Sequence, residues 1–343
     1  MKSINFLIDD ITNSGGTERV TCTLSNQLVN LGYNVNIFSI KKEKEKINYN
    51  INTNVNIIFN NRNKYFFILD VLRKTNNDKS TLIVVSMGKL SVQVSLLSII
   101  NKTNNLIFSE HISFESFSLF KKIIKRTSYF FADKVVLLTE HDKNILSNHD
   151  KNKKFITIKN INPFYQFDIS DFNTRPNVAL AIGRLSYQKN FERLIDIWKK
   201  STHPNWSLII IGDGEEYQKI ANLISNDIDI TLVKNSSQLE DYYNNAKIFL
   251  MTSRFEGLPM VLIEAQHFGI PSLSFDCKTG PSEIIINNET GYIIPYNDDE
   301  LFKSKLSKLA ADRLTLSEMH SNSLNSIHNF SPNEILKKWI SII

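Results

Sequence analysis

The chain has 343 residues, which is enough for two domains of ordinary size, each with its own core. Hydrophobic residues make up 42% and charged residues 22% of the sequence, a balance that excludes a disordered or fibrous protein. Lys and Arg number 40 against 35 Asp and Glu, and the resulting charge of +5 is too small to indicate nucleic-acid binding.

Two cysteines, Cys22 and Cys277, stand far apart and outside any C-x-x-C pair. They build neither a disulfide framework nor a zinc ribbon, so a reducing compartment is expected. The first apolar stretch reaches Asp9 and Asp10 too early for a secretory signal, and no run of about 18 apolar residues follows. We therefore expect a cytoplasmic protein, with peripheral association at the inner face of the cytoplasmic membrane left open.

The first half of the chain alternates short β-branched runs with stretches of helical periodicity. Four leucines and valines, at positions 20, 24, 28 and 31, share one helix face, and Gly32 ends that helix. Such alternation is typical of β-α-β units on a parallel sheet. The runs predict strands at 4–9, 35–40, 55–59, 81–86, 105–110, 134–139 and 155–158.

The second half repeats this pattern, with helices expected at 190–200 and near 259–268. Between the halves, residues 160–177 carry two prolines and polar turn formers, which is typical of a linker. Two open parallel sheets place their ligand site at the carboxyl ends of the strands. The predicted strands of this half are 178–183, 207–212, 230–233, 247–253, 271–275 and 291–295.

The strongest local motif follows a predicted strand and reads SRFEGLPMVLIEAQHFGIP, residues 253–271. It turns on Gly257, Leu258 and Pro259 and then begins a helix, in whose first turn proline is favoured. Glu256 precedes this helix and Glu264 lies inside it, so two carboxylates of different exposure are expected near one crevice. The alternatives are a helix cap for Glu256 and a solvated helix face for Glu264.

A second motif, AIGRLSYQKNFERL at residues 181–194, ends a strand at Gly183 and begins a helix near Asn190. Arg184 and Lys189 lie beside that helix N-terminus. A guanidinium, an ammonium and free helix amides can together bind a diphosphate. The simpler alternative is that Arg184 and Lys189 are two solvated surface charges.

Taken in order, these motifs resemble those of a retaining glycosyltransferase of family 4, a bacterial polysaccharide or lipopolysaccharide enzyme of the GT-B architecture. Glu256 and Glu264 match its E-x7-E signature, and GRL..QKN supplies its Arg and Lys. The resemblance also includes the Gly-rich NSGGTERV (13–20), IGDG (211–214) and the last segment, FSPNEILKKWISII (330–343).

The resemblance implies an α/β fold with two Rossmann-like domains facing a central nucleotide-sugar cleft. Residues 1–165 form the expected acceptor domain, 176–326 the nucleotide-sugar domain, and 327–343 a helix that crosses back to the first domain. It also implies that Arg184 and Lys189 hold the donor diphosphate, that Glu264 binds the ribose, and that Glu256 lies against the transferred sugar. The flanking Gly183, Gly257, Leu258 and Pro259 belong to the expected donor site.

Three residues of the first half join the candidate site. His111 ends a predicted strand, and the resemblance implies that it contacts the donor sugar. The alternative is a histidine with a structural role. Gly15 and Gly16 permit close backbone approach to a phosphate or sugar, against the alternative of an ordinary βα turn.

Other chemistries are disfavoured by the sequence. The IGDG turn lacks the third glycine of a dinucleotide fingerprint, and no nucleophile elbow occurs. Asp227 and Asp229 imitate a metal-binding D-x-D, but they precede a strand far from the motifs and are interpreted as a loop. No cluster has metal-ligand spacing, so neither a metal nor another cofactor is expected.

Residues 114–134 mix Phe, Leu and Ile with Lys121, Lys122, Lys125 and Arg126. This composition suits a helix on an anionic membrane, and it also suits the solvated face of an ordinary domain helix.

The resemblance thus implies transfer of a hexose or N-acetylhexosamine, with retention, from a nucleotide-sugar to a hydroxyl of a glycan or lipid-linked glycan. Because the loop 275–285, with Gly280, Pro281 and Glu283, resembles that of bacterial enzymes using UDP-hexoses, UDP is the expected nucleotide. The alternatives are a nucleotide-sugar epimerase or a phosphorylase of the same architecture, and a non-catalytic partner subunit.

Overall fold

The computed structural model describes residues 2–148, 153–234, 236 and 238–343. The backbone divides into two compact units. Unit 1 comprises Met1–Pro163 and Phe330–Ile343, and unit 2 comprises Phe164–Asn329. Each unit is one parallel sheet with helices in its crossover connections, as the alternating sequence pattern predicts.

Unit 1 has a seven-stranded sheet in the order β3-β2-β1-β4-β5-β6-β7. Its strands are β1 (Ser3–Ile8), β2 (Asn34–Ser39), β3 (Asn56–Phe59), β4 (Thr81–Ser86), β5 (Leu106–Glu110), β6 (Lys134–Leu137) and β7 (Phe155–Thr157). Its helices are α1 (Gly16–Asn30), α2 (Lys64–Asn77), α3 (Lys89–Ser98), α4 (Leu119–Ser128), α5 (Glu140–Ser147) and α12 (Pro332–Ile340).

Unit 2 has a six-stranded sheet in the order β10-β9-β8-β11-β12-β13. Its strands are β8 (Val178–Ile182), β9 (Ser207–Ile211), β10 (Ile230–Val233), β11 (Ile248–Met251), β12 (Ser272–Asp276) and β13 (Gly291–Pro295). Its helices are α6 (Phe191–Lys199), α7 (Tyr217–Leu223), α8 (Leu239–Asn244), α9 (Met260–His267), α10 (Asp299–Ala311) and α11 (Arg313–Ser326).

The central strands of both sheets are apolar and buried on both faces. In unit 1, Phe6 of β1 aligns with Ile37 on one side and Ile83 on the other, and all three side chains are buried. This explains why the strands form unbroken apolar runs in the sequence rather than alternating patterns. Every predicted strand is present, with ends shifted by no more than two residues.

The strand order reverses between β1 and β4 in unit 1 and between β8 and β11 in unit 2. The connections leave such a reversal point in opposite directions, so the loops at the carboxyl ends of the two strands open a crevice where ligands bind. The loops that carry the sequence motifs follow β8 and β11.

The segment expected to be a linker is largely part of unit 2. The units divide at Pro163/Phe164, and Phe172 packs in the core of unit 2. Arg175 is buried, where its guanidinium donates to the carbonyl of Ala246 at 3.1 Å and burial lowers its pKa to about 10. At the other end, α12 belongs to unit 1 and lies against α1. Across the described ranges, every helix is too short or too polar to span a bilayer.

Candidate active site

Three loops meet at the carboxyl ends of the neighbouring strands β8, β11 and β12. The backbone amide of Arg254 donates to the carbonyl of Gln188 at 2.8 Å, and the Gln188 side chain donates to the carbonyl of Phe255 at 2.9 Å. The third loop joins them through Thr279, whose hydroxyl donates to the carbonyl of Glu256 at 2.6 Å. These bonds fix the backbone around Glu256 before any ligand enters.

Glycines permit the close packing of these loops. A Cβ on Gly280, whose φ is +101°, would lie 2.5 Å from the carbonyl oxygen of Gly257 and 2.6 Å from Cδ of Pro259. A Cβ on Gly212, in the IGDG turn, would lie 2.0 Å from the carbonyl oxygen of Gly183. Side chains are therefore excluded at both positions, which lets the backbone of one loop approach the next.

Lys189 and Glu256 form an ion pair in this group of loops. Lys189 Nζ lies 2.5 Å from Glu256 Oε1, and their side chains are 20% and 6% exposed. Asn190 follows with a left-handed φ of +57° and serves as the N-cap residue of α6, held by Thr252, whose hydroxyl donates to its carbonyl at 3.0 Å. This turn directs the lysine towards Glu256, and a Cβ placed on Gly183 would lie 3.5 Å from the aliphatic stem of the lysine.

Arg184 has a different environment. Its guanidinium lies 3.1 Å from Glu215 Oε2, and the side chains are 74% and 57% exposed. An exposed pair of this kind contributes about 0–1 kcal/mol, so the arginine is readily released to a stronger anion. The alternative of two solvated surface charges thus fits Arg184 and not Lys189.

Glu264 lies on α9 and is buried. Its Oε2 accepts a hydrogen bond of 2.7 Å from the hydroxyl of Tyr243, whose ring stacks on Phe268. Glu256 is also buried, so the expectation that the two carboxylates differ in exposure is wrong, as is the solvated-face alternative for Glu264. The cause is the aromatic cluster around α8, which covers this side of α9.

Leu258 and Pro259 have a structural role in the turn. Leu258 is buried, and Pro259 is the N-cap residue of α9, with a φ of −71° and an extended ψ of 104°. This conformation lets the chain leave Glu256 and begin the helix at once. A buried cysteine, Cys277, lies nearby, where burial, together with the charge of Glu256, raises its pKa to about 12 and keeps the thiol protonated.

In unit 1, the Gly-rich loop follows β1. Gly15 is the N-cap residue of α1, and a Cβ placed on it would lie 2.5 Å from Glu18 Oε2, whereas Gly16 has open space. Burial raises the pKa of Glu18. Asp10 fixes the loop by accepting from the backbone amide of Thr12 at 2.9 Å. The Glu18 carboxylate thus lies close to the backbone of Gly15. A phosphate or sugar contact at either glycine stays a prediction.

His111 follows β5 directly. Its backbone amide donates to the carbonyl of Ser86 at 2.9 Å, and its Nε2 lies 3.1 Å from the Ser109 hydroxyl. Burial lowers the pKa of His111 to about 4, so the imidazole is neutral near pH 7. It also lines a cavity of about 10 Å³ together with Trp339 of α12. Its contact with a donor sugar stays a prediction.

Sequence reasoning missed the residues that orient the motif side chains. Tyr243 belongs to no recognised motif, and Thr279 lies in the loop 275–285 without a role assigned from the sequence. They contact Glu264 and the backbone of Glu256, respectively. The signal for Tyr243 is weak, because the Tyr242-Tyr243 pair lies on a short helix with no apolar periodicity. Of the expected site, unit 2 brings Lys189, Glu256 and Gly183 together, while Arg184 and Glu264 have other partners.

Comparisons with known proteins agree with this fold and these motifs. The family model described as "Glycosyl transferases group 1" matches residues 165–325. The chain is 38% identical to the amylovoran biosynthesis glycosyltransferase AmsD of Erwinia amylovora, over the full length of both chains. The chain therefore belongs to the group 1 glycosyltransferases. It is a bacterial polysaccharide or lipopolysaccharide glycosyltransferase of the GT-B type.

Two further proteins extend the comparison. An N-acetylgalactosaminyltransferase of Campylobacter jejuni, named for an undecaprenol-diphosphate-linked glycan acceptor, is 25% identical over 100% of this chain and 98% of its own. A crystal structure of a Staphylococcus aureus TarM mutant, in complex with UDP and other ligands, has a TM-score of 0.82 at 15% identity, with 100% and 99% of the two chains covered. At this low identity the structure supports the fold alone.

Proposed function

We propose that the protein is a retaining glycosyltransferase that moves a hexose or N-acetylhexosamine from a UDP-sugar to a hydroxyl of a bacterial surface glycan. The observation that carries the proposal is the ion pair between Lys189 and Glu256 at the β8/β11 reversal point. A cation and a carboxylate lie side by side there, in a part of the sheet where nucleotide ligands bind.

Unit 2 is proposed to hold the donor. Lys189 and Arg184 contact the diphosphate, and the amides at the start of α6 add partial positive charge. Glu264 accepts hydrogen bonds from the ribose, and Tyr243 fixes its orientation. The names of structural relatives favour UDP as the nucleotide, since the TarM structure contains it.

The chemistry requires stabilisation of separating charges. The bond between the anomeric carbon and the diphosphate oxygen breaks, and the acceptor oxygen bonds to that carbon on the same face. The hydroxyl proton of the acceptor passes to the departing diphosphate, and UDP leaves. Negative charge grows on the diphosphate, where Lys189 and Arg184 offset it, and positive charge grows on the sugar, where Glu256 offsets it. We propose that these side chains replace a metal, so EDTA should leave turnover unchanged; activity lost with EDTA and restored by Mn²⁺ would contradict this.

The acceptor is proposed to be a growing glycan on a lipid carrier or on lipid A core. The names of the relatives support this, because one concerns amylovoran biosynthesis and another an undecaprenol-linked glycan. Such an acceptor places the reaction at the cytoplasmic face of a membrane.

The donor proposal is tested by thermal unfolding in the presence of UDP-, GDP- and ADP-sugars. A ligand at 100 times its Kd stabilises the folded state by about 2.7 kcal/mol, so the correct donor raises the Tm and the others do not. UDP-hexoses or UDP-N-acetylhexosamines should raise it in the wild type and less in Lys189→Ala. A Tm raised by GDP- or ADP-sugars alone would contradict the assignment. Nuclear magnetic resonance of the product then tests retention, since an inverted anomeric centre would overturn it.

A further inference from the structure

Helix α4 has its apolar residues on the outside and a lysine on the inside. Leu119, Phe120 and Ile123 are 81%, 73% and 67% exposed, and Ile124 is exposed as well. The side chain of Lys125, on the opposite face, is 3% exposed. A helix that covers the core of a water-soluble domain has the reverse arrangement.

The inward lysine has a complete set of partners. Lys125 Nζ lies 2.6 Å from Glu110 Oε1, and it donates to the Ser91 hydroxyl at 2.5 Å and to the carbonyl of Gly88 at 3.1 Å. The ring of Tyr129 lies 4.9 Å from it. These bonds fix the rotation of α4 about its axis. The folded structure of unit 1 therefore holds the apolar face of the helix towards solvent.

The charges on α4 surround the apolar face. On a helix of 3.6 residues per turn, Leu119, Phe120, Ile123 and Ile124 fall within an arc of about 140°, whose centre is opposite Lys125. Lys121 lies at one edge of this arc and Lys122 and Arg126 lie at the other; the sequence of α4 contains no carboxylate. Phe130, just after the helix, is 80% exposed.

We propose that the outer face of α4, defined by Leu119, Phe120, Ile123 and Ile124 with Lys121, Lys122 and Arg126, binds an anionic lipid bilayer. The apolar side chains enter the boundary between headgroups and acyl chains, and the flanking cations contact lipid phosphates. Charge complementarity selects this occupant, because a face edged only by cations matches an anionic surface. The proposal deepens the proposed function, since a lipid-linked acceptor requires such a contact, but its test needs no sugar transfer.

The test is co-sedimentation of the full chain, without donor, with vesicles of phosphatidylglycerol and phosphatidylethanolamine or of phosphatidylcholine alone. We expect binding to the anionic vesicles that weakens with salt. The variant Phe120→Gln/Ile123→Gln should bind at least about tenfold more weakly, because two buried side chains are lost. Each cation increases the affinity for anionic vesicles about fivefold, so Lys121→Glu/Arg126→Glu should also bind them at least about tenfold more weakly.

Matched controls use exposed residues of unit 2. Ile228→Gln/Leu314→Gln and Lys200→Glu/Lys308→Glu remove the same kinds of side chain elsewhere and should bind vesicles like the wild type. Equal loss in the controls, equal binding to phosphatidylcholine, or no vesicle binding by the wild type would overturn the proposal. So would a dimer in light scattering that the α4 variants dissociate without any vesicle binding, since the face would then join two copies. UDP affinity, a property of unit 2, should be unchanged in all α4 variants, so failure here is distinct from failure of the proposed function.

Discussion

Lys189 Nζ lies 2.5 Å from Glu256 Oε1, although the two residues are 67 positions apart in the chain. The cation proposed for the diphosphate and the carboxylate proposed for the sugar therefore neutralise each other in the absence of donor. A bound donor has to share this lysine, so a change at either residue alters the electrostatic environment of the other.

Arg184→Ala and Lys189→Ala should both lower kcat/KM by about 10²–10³-fold, because each removes a cation from the leaving diphosphate. Their stabilities should differ. Lys189→Ala leaves the buried Glu256 without its cation and should cost about 1–3 kcal/mol, whereas loss of the exposed Arg184 pair should cost less than about 1 kcal/mol. Steady-state kinetics and urea unfolding measure these effects, with Lys200→Ala as the control. Unchanged kcat/KM in both variants would refute the diphosphate assignment.

Glu264→Gln should mainly raise the donor KM, because a ribose contact is present in the ground state and the transition state alike. Tyr243→Phe removes the hydroxyl that orients Glu264. This variant should also raise the donor KM, by a smaller factor, with kcat unchanged. Donor titrations at saturating acceptor separate the two parameters. A fall in kcat with unchanged donor affinity in Glu264→Gln would show that this carboxylate acts on the reacting sugar instead.

Lys125→Met should destabilise unit 1 by about 3–5 kcal/mol, because it leaves Glu110, whose side chain is 1% exposed, as an unpaired buried charge. The double variant Glu110→Gln/Lys125→Met removes both charges and should recover most of this loss. Chemical denaturation of the single and double variants gives the comparison. If Lys125→Met cost less than about 1 kcal/mol, the pair would not be what holds α4 in its orientation.

His111 should make stability fall in mild acid. Its folded-state pKa of about 4 lies below the ordinary imidazole pKa of 6.5, so between these pH values the unfolded chain binds more protons than the folded one. The stabilisation is complete above about pH 6.5 and is lost as the pH falls towards 4. Tm measured against pH in the wild type and in His111→Gln checks this, and the variant should show a flatter profile. Identical profiles would contradict a partly buried, neutral imidazole.

The strands were predictable because parallel sheets bury β-branched runs on both faces, as β4 and β8 illustrate. The motif residues were also predictable, since spacing fixes which residues follow β8 and precede α9. The side chains that contact these motif residues were not predictable. The bond from Tyr243 to Glu264 and the exposure of Glu264 depend on how α8 packs beside α9, which no local pattern encodes.

Helix α4 shows the same limit more clearly. Its amphipathic pattern is visible in the sequence, but amphipathicity alone does not say which face is inside. That depends on Glu110, which lies 15 residues earlier on β5 and pairs with Lys125. A tertiary ion pair thus reverses the orientation that hydrophobicity alone would predict.

The central claim is that Glu256 acts on the reacting sugar while Lys189 and its neighbours hold UDP. The most direct test is Glu256→Gln, with kcat from UDP release at saturating donor and acceptor and with UDP affinity from calorimetry. We expect kcat to fall by at least about 10²-fold, because the charge that offsets the developing positive sugar is lost. UDP should still bind, with a Kd that rises by no more than about threefold, because Lys189 keeps its charge for the diphosphate. An unchanged kcat, or a loss of UDP binding in this variant, would contradict the account.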